Sequence, residues 1–289
     1  MTKCNSKNSC MGYYGKCLDI KITNACNANC SFCIEKGGYN PNTADITNLI
    51  RATNTMKNYT NVLVLGGEPL LCKDLELYLA GIRPQKEKIY LTTNGSRLNT
   101  EMAEMLSQYL DGINISIHHY FDKKNNEIYG IGINFDNIKK AIMVFRENEV
   151  PVRINCNLIK GYIDNSEKAK VMMEFVHDVL MANELRFCEL QEAEDVCVDA
   201  RELFPGLTDN PFCDGCEQSI ESPYQDMNIT VKMTCGCVNK TKEPVADPEP
   251  AVHKTKVIYP NGEVSDGWKK KLRDIHESSR GCHDLRGCH

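Results

Sequence analysis

Residues 18–38 read LDIKITNACNANCSFCIEKGG, and this stretch decides the fold and the chemistry together. Residues 18–23 have the composition of a β-strand, which runs directly into a loop that carries Cys26, Cys30 and Cys33. Their spacing is too tight for disulfide geometry to account for all three, and three is an odd number. Three thiols at the end of the first strand therefore indicate a metal site.

Strand-like and helix-like segments alternate from this point to about residue 190. Strands are predicted over 18–23, 61–65, 88–95, 112–119, 150–159 and 184–190. Helices are predicted over 43–58, 74–82, 100–110, 135–148 and 166–181. Repeated strand-then-helix steps indicate an α/β fold with a parallel sheet and right-handed crossovers. The pattern alone does not decide whether the sheet lies open or closes partly into a barrel.

Composition narrows the class of protein. The chain has 289 residues, 42% apolar and 25% charged, with a formal net charge of −5 and no long basic run, so no nucleic-acid surface is indicated. The polar start of the chain shows no signal peptide, and no stretch is apolar enough to cross a membrane. With 16 cysteines in tight clusters, we expect a cytoplasmic, reducing location and metal ligation rather than a disulfide framework.

Three thiolates hold three irons of a [4Fe–4S] cube and leave the fourth iron open for a small molecule. Cys26-x3-Cys30-x2-Cys33, with Phe32 before the last cysteine, resembles the signature of radical S-adenosylmethionine (SAM) enzymes. Gly66-Gly67-Glu68-Pro69 after the second strand is similar to the methionine-binding motif of that family. The resemblance covers roughly residues 17–190. A zinc or ferredoxin-like site is the alternative for the three cysteines.

The resemblance implies a partial (β/α)6 TIM-like barrel in which SAM chelates the fourth iron. An electron donor such as flavodoxin or ferredoxin reduces the cluster, and SAM then yields a 5′-deoxyadenosyl radical that abstracts hydrogen from a substrate. The cofactors carry this chemistry, while the protein orients them and excludes competitors.

Strand alternation sorts the other polar residues. Asn114, Ser116 and His118 share one face of the fourth strand, as Arg153, Asn155 and Asn157 share one face of the fifth, and we expect both sets to point into the barrel. The resemblance implies that Ser116 and Asn155 contact the carboxylate and ribose of SAM. It places Thr93 and Asn94 near the methionine or adenosine. His118 is predicted to touch SAM or substrate, with a solvated loop histidine as the alternative.

The alternation of predicted strands and helices ends at about residue 200. We predict three parts: a lead-in over 1–16, a barrel over 17–200, and a small Cys-rich irregular domain with a β-hairpin and tail over 201–289. Asn261-Gly262 marks that hairpin. The close pairs Cys213/Cys216 and Cys235/Cys237 have metal-site spacing, which suits either an iron–sulfur cluster or zinc.

This region resembles the auxiliary-cluster domains, of Twitch or SPASM type, that follow many radical SAM barrels. It also resembles the molybdenum-cofactor cyclase branch, but the gap from Cys216 to Cys235 is longer than in that branch. Its arginine-bearing segment and its Gly-Gly tail are absent, so that cyclase activity is not assigned.

The sequence therefore predicts a radical SAM enzyme that abstracts hydrogen from an unidentified substrate, with net oxidation, cyclisation or cross-linking as the outcome. Because the first strand begins near residue 18, no leader-binding domain is expected, which favours a small molecule, a nucleotide, or a peptide presented by a separate carrier. A peptide-modifying maturase is one alternative. An iron–sulfur electron carrier or a zinc-stapled interaction protein is the non-enzyme alternative. Cys188 on the sixth strand is a candidate hydrogen-atom donor, against ordinary packing.

Overall fold

The predicted strands form the middle of one sheet in the computed structural model. The structure describes residues 17–36, 40, 43–190, 193, 195–207, 217–233 and 256–268. Six parallel strands lie side by side in chain order, from β1 to β6. Their bounds are β1 Cys17–Lys21, β2 Asn61–Leu65, β3 Lys88–Thr93, β4 Gly112–Ser116, β5 Val152–Asn157 and β6 Glu184–Cys188.

Helices connect these strands, and most of them begin at a polar cap residue. Their bounds are α1 Ile46–Thr55, α2 Leu75–Ile82, α3 Thr100–Ser107, α4 Asp122–Tyr129, α5 Phe135–Glu147, α6 Ser166–Glu174 and α7 Ala200–Leu203. Asn99, Asn134 and Asn165 each accept a hydrogen bond from the backbone N–H three residues on, which satisfies an otherwise unpaired donor. A π-helical segment, Phe175–Leu180, continues α6.

The two faces of the parallel strands differ. Leu18 and Ile20 of β1, with their counterparts on the other strands, are fully buried in the main core together with the helices. Neighbouring helices also pack on one another, α1 on α2 and α3 on α5. The helices cover one face of the sheet, and the opposite face lines the interior, as in a barrel. The sheet does not close on itself. The fold prediction of a partial (β/α)6 barrel is confirmed.

Strands from the Cys-rich region extend both edges of this sheet. At one edge β8 (Asn228–Lys232) pairs parallel with β6, and β7 (Glu217–Ser219) pairs antiparallel with β8. At the other edge β9 (Lys256–Ile258) pairs parallel with β1, and β10 (Val264–Ser265) forms the predicted hairpin with β9. The described strands of 217–265 are thus continuous with the barrel sheet. The division of the chain at residue 200 stays a prediction.

Two differences from the predicted elements matter for the site. The chain leaves β4 at Ser116, three residues before the predicted end of the strand, and 122–129 forms a helix where none was predicted. This helix, α4, is mostly polar and buries only Asn125, Ile128 and Tyr129, so its hydrophobic periodicity is weak. Within the part of the chain that the structure describes, no helix is long and apolar enough to span a membrane.

Candidate active site

The three-cysteine loop begins at the carboxyl end of β1. Cys26 is exposed, Cys30 and Cys33 are half-buried, and all three are free thiols. Burial, followed by the neighbouring Cys33 and Cys26, raises the pKa of Cys30 to about 12. Burial likewise raises the pKa of Cys26, to which Cys33 also contributes. Metal binding would release the protons that burial favours on Cys26 and Cys30.

The glycine pair that follows β2 lies directly under this loop. Gly67 N donates to Thr23 O at 2.9 Å, and Glu68 N donates to Ala25 O at 2.8 Å. A Cβ on Gly66 would lie 2.6 Å from Thr23 O, and one on Gly67 would lie 2.2 Å from Ala25 O. Only glycine permits this approach, so the pair fixes the backbone just before the first cysteine.

Glu68 connects the glycine pair to the end of β3. Its Oε1 accepts from the Thr93 hydroxyl at 2.6 Å and from Leu70 N at 3.0 Å, while its Oε2 accepts from Asn94 N at 2.7 Å. Burial raises the pKa of this carboxyl, and the three hydrogen bonds act in the opposite direction. Pro69 is buried at the first position of a 3₁₀ turn that Glu68 caps.

Asn94 carries the connection back to the cysteine loop. Its side-chain amide donates to Asn27 Oδ1 at 3.1 Å, and Asn27 in turn donates to Ser96 Oγ at 2.9 Å. Asn27 lies directly after Cys26. The predicted residues Glu68, Thr93 and Asn94 thus form one hydrogen-bond network that braces the loop. Asn27, which was not predicted from the sequence, belongs to the same network.

The polar residues of β4 and β5 lie side by side. Ser116 is in register with Asn155, and Asn114 is in register with Arg153. Asn114 donates to the Thr92 hydroxyl at 3.0 Å, and Arg153 donates to Glu184 at 2.8 Å. The Asn155 Oδ1 atom is buried and has no hydrogen-bond partner among the described residues. An unsatisfied buried acceptor on the inner face fits a ligand that donates a hydrogen bond there.

His118 lies beyond the end of β4 and is almost fully buried. Its Nδ1 accepts from Asn157 N at 3.1 Å, and its Nε2 is 3.0 Å from the Tyr129 hydroxyl. Burial lowers the pKa of His118 to about 3, so the imidazole is neutral. Phe32 presents an edge to this ring, with centroids 5.4 Å apart. Both ring nitrogens therefore have protein partners, and His118 contacts the cysteine loop through Phe32.

Two further contacts on the loop were not predicted from the sequence. The buried Lys21 pairs with Glu35, Nζ to Oε2, at 2.5 Å, which ties the far end of the loop to β1. The Tyr129 carbonyl at the end of α4 accepts from Asn29 N at 2.8 Å. No sequence pattern pointed to either contact.

The three cysteines are a set of donors that an iron–sulfur cluster could use. Among the residues that the structure describes, no three His, Cys, Asp or Glu side chains are close enough to hold one metal ion. A [4Fe–4S] cube places each thiolate on a different iron, so the thiols need not converge on one point. Three free thiols on a braced loop are therefore compatible with such a cube. Cys213, Cys216, Cys235 and Cys237 lie outside the described residues.

Comparisons with known proteins agree with this geometry. The family model described as the radical SAM superfamily matches residues 20–176, more than half of the chain. A probable GTP 3′,8-cyclase of Pyrococcus abyssi is 30% identical over 152 residues, covering 51% of this chain and 49% of that protein. A GTP 3′,8-cyclase of Aquifex aeolicus is 26% identical over 205 residues, covering 63% of this chain and 62% of that protein. The chain thus spans half to three fifths of these relatives.

Solved structures share the fold. SuiB of Streptococcus suis bound to SAM superposes with a TM-score of 0.61 at 18% identity, covering 88% of this chain and 60% of that one. The methyltransferase TsrM of Kitasatospora setae superposes with a TM-score of 0.51 at 15% identity, covering 61% and 36%. The braced three-cysteine loop, the glycine pair beneath it and the match over residues 20–176 together show that this chain belongs to the radical SAM superfamily, whose members use a [4Fe–4S] cluster and SAM.

Proposed function

We propose that this chain holds a [4Fe–4S] cluster on Cys26, Cys30 and Cys33 and uses it with SAM to abstract hydrogen from a substrate. When bound, the cluster and SAM supply one-electron cleavage of SAM and a 5′-deoxyadenosyl radical. The observation that carries the proposal is the pair of backbone hydrogen bonds from Gly67 and Glu68 to the chain just before Cys26. A Cβ at Gly66 or Gly67 would not fit against that backbone. The same glycine pair matches the methionine-binding motif of the family, which a simple electron carrier would not need.

The protein's own residues would position SAM at the carboxyl edge of the strands. Gly66, Gly67 and Pro69 would border the methionine end of SAM, and Glu68 holds Thr93 and Asn94 in place beside it. The free acceptor of Asn155 suits a ribose hydroxyl or an ammonium group, and Ser116 lies next to it in register. Glu68, Thr93 and Asn94 are themselves buried, so water does not compete for the hydrogen bonds between them.

The test is release of 5′-deoxyadenosine by the anaerobically reconstituted protein with SAM and dithionite. We expect wild type to release it and Cys30→Ala to release none, because the cube loses a protein ligand. Cys197→Ala is the matched control, since Cys197 is also a half-buried free thiol but lies far along the chain. A loaded wild-type protein that releases no 5′-deoxyadenosine, or a Cys30→Ala variant that still does, would refute the proposal.

We assign a second iron–sulfur cluster to Cys213, Cys216, Cys235 and Cys237. The support is their spacing in the sequence and the antiparallel pairing of Glu217, which follows the first cysteine pair, with Lys232, which precedes the second. Loaded wild type should then contain about eight irons per chain, and a Cys213→Ala/Cys216→Ala variant about four. An unchanged iron count, or zinc in place of the lost iron, would remove this assignment.

The substrate is either a small molecule or a peptide. The GTP 3′,8-cyclase relatives favour a nucleotide, whereas a SuiB structure with the same fold holds a precursor peptide. We propose flavodoxin or ferredoxin as the electron donor, docking at the exposed cysteine loop. All eight cysteines in the described ranges are free thiols, which supports a reducing compartment such as the cytoplasm.

A further inference from the structure

A chain of hydrogen bonds with a single direction runs from β5 through His118 and Tyr129 to β4. Asn157 N donates to His118 Nδ1 at 3.1 Å, so this nitrogen carries no proton. The neutral imidazole must then carry its proton on Nε2, which donates to the Tyr129 hydroxyl at 3.0 Å. The hydroxyl donates in turn to Ser116 O at 2.8 Å. Each hydrogen bond in this series thus has a defined donor and a defined acceptor.

The same two residues hold the loop that carries the cysteines. The Tyr129 carbonyl accepts from Asn29 N at 2.8 Å, one residue before Cys30. The His118 ring stacks on Tyr129 with centroids 5.1 Å apart and meets the edge of Phe32 at 5.4 Å. Phe32 is the residue before Cys33. The residues before Cys30 and Cys33, Asn29 and Phe32, therefore contact Tyr129 and His118.

The strands at the ends of this chain are those that carry the proposed SAM contacts. Ser116 and Asn155 lie in register on β4 and β5, and the hydrogen bonds end at the Ser116 carbonyl and the Asn157 amide. Asn125 of α4 adds another connection, because its Oδ1 accepts from His118 N at 2.9 Å. The pair thus joins the cysteine loop after β1 to the opposite edge of the pocket.

We infer that His118 and Tyr129 are positioning residues that set the distance between the cysteine loop and the SAM-binding edge of β4 and β5. This inference rests on the proposed function and assigns neither residue a contact with SAM. The prediction that His118 also touches SAM or substrate stands apart from it. Tyr129→Phe keeps the ring and removes one hydroxyl, which leaves the buried Nε2–H of His118 without an acceptor and lets the ring shift.

The experiment compares Tyr129→Phe with Tyr78→Phe in the reconstituted protein. Tyr78 is also fully buried, and its hydroxyl lies 2.9 Å from the Thr53 hydroxyl between α1 and α2, so it loses a similar hydrogen bond elsewhere. SAM affinity is measured by titration of the reduced cluster's EPR signal, and stability by urea unfolding of the cluster-free chain. Hydrogen exchange of the peptide that covers residues 26–36 reports on the loop itself.

We expect both variants to lose similar stability. Only Tyr129→Phe should raise the SAM dissociation constant about tenfold and speed exchange in residues 26–36. His118→Phe should have the same effect on SAM affinity. The double variant should lose no more SAM affinity than either single variant, because each single substitution already interrupts the series of hydrogen bonds. Equal SAM affinity in Tyr129→Phe and Tyr78→Phe, or additive losses in the double variant, would overturn the inference. If wild type releases 5′-deoxyadenosine in that case, the proposed function stands without it.

Discussion

Gly67→Ala tests whether the glycine pair positions the cluster. The new Cβ would lie 2.2 Å from Ala25 O and 2.6 Å from Ala25 C, both backbone atoms that no side-chain rotation can move. Ordinary contact begins at 3.4 Å, so the Ala25 carbonyl must withdraw by roughly 1 Å. That withdrawal breaks the 2.8 Å hydrogen bond from Glu68 N and displaces Cys26, the next residue. A displacement of about 1 Å at a reacting centre costs on the order of 100-fold in rate.

The assay is the rate of 5′-deoxyadenosine release per loaded cluster, with iron and sulfide measured on the same sample. We expect Gly67→Ala to lose about 100-fold in this rate while far-UV circular dichroism stays that of wild type. Gly132→Ala is the matched control, because within the described residues a Cβ there meets no atom within 4 Å and the backbone needs no positive φ. A Gly67→Ala rate within about threefold of wild type, at full iron content, would refute the reasoning.

Three further predictions concern the inner face of the barrel. Asn155→Leu should raise the SAM dissociation constant about tenfold in a titration, because its Oδ1 is a buried acceptor with no partner among the described residues; unchanged affinity would show that SAM does not bind at this atom. Arg153→Met should cost about 3–5 kcal/mol in urea unfolding, since Glu184 stays buried and unpaired, and adding Glu184→Leu should recover most of it. Burial raises the pKa of Asp19 from 3.8 to about 6, so wild-type stability should fall by at most about 3 kcal/mol as the pH rises through 6, and Asp19→Asn should lack this fall.

The strands and most helices could be predicted because the helix-facing side of the sheet is fully apolar. Leu18 and Ile20 on β1 and Ile113 and Ile115 on β4 are all fully buried, and each alternates with a polar neighbour. That alternation fixes the face as well as the strand. By contrast, α4 was missed because it rests on the loop and the strand ends through Asn125 and Tyr129, and hydrogen bonds leave no periodic apolar signal.

The cysteines and the glycine pair could also be predicted, since both depend on residue type and spacing alone. Tyr129 could not, because its contact with Asn29 uses only the backbone carbonyl and bridges 100 residues of chain. His118 was found by strand alternation, and its contact with SAM stays a prediction, but its hydrogen bonds were not foreseen. The chain turns after Ser116 and places the imidazole against the Asn157 amide, which alternation along one strand does not foresee.

The residues that the sequence pattern missed share a physical reason for being where they are. A loop with three thiols has few apolar side chains, so it gains little stability from burial and must be held by directional bonds from its neighbours. One such neighbour is the end of an element, where a backbone group is not already paired: Tyr129, at the last position of α4, accepts from Asn29 N. Asn157, at the end of β5, acts on the loop through His118 and Phe32. Because such ends belong to α4 and β5, the loop's geometry depends on how those elements pack. Ile128→Ala, on the buried side of α4, should therefore disturb the cysteine loop more than an equally destabilising substitution on the buried side of α2.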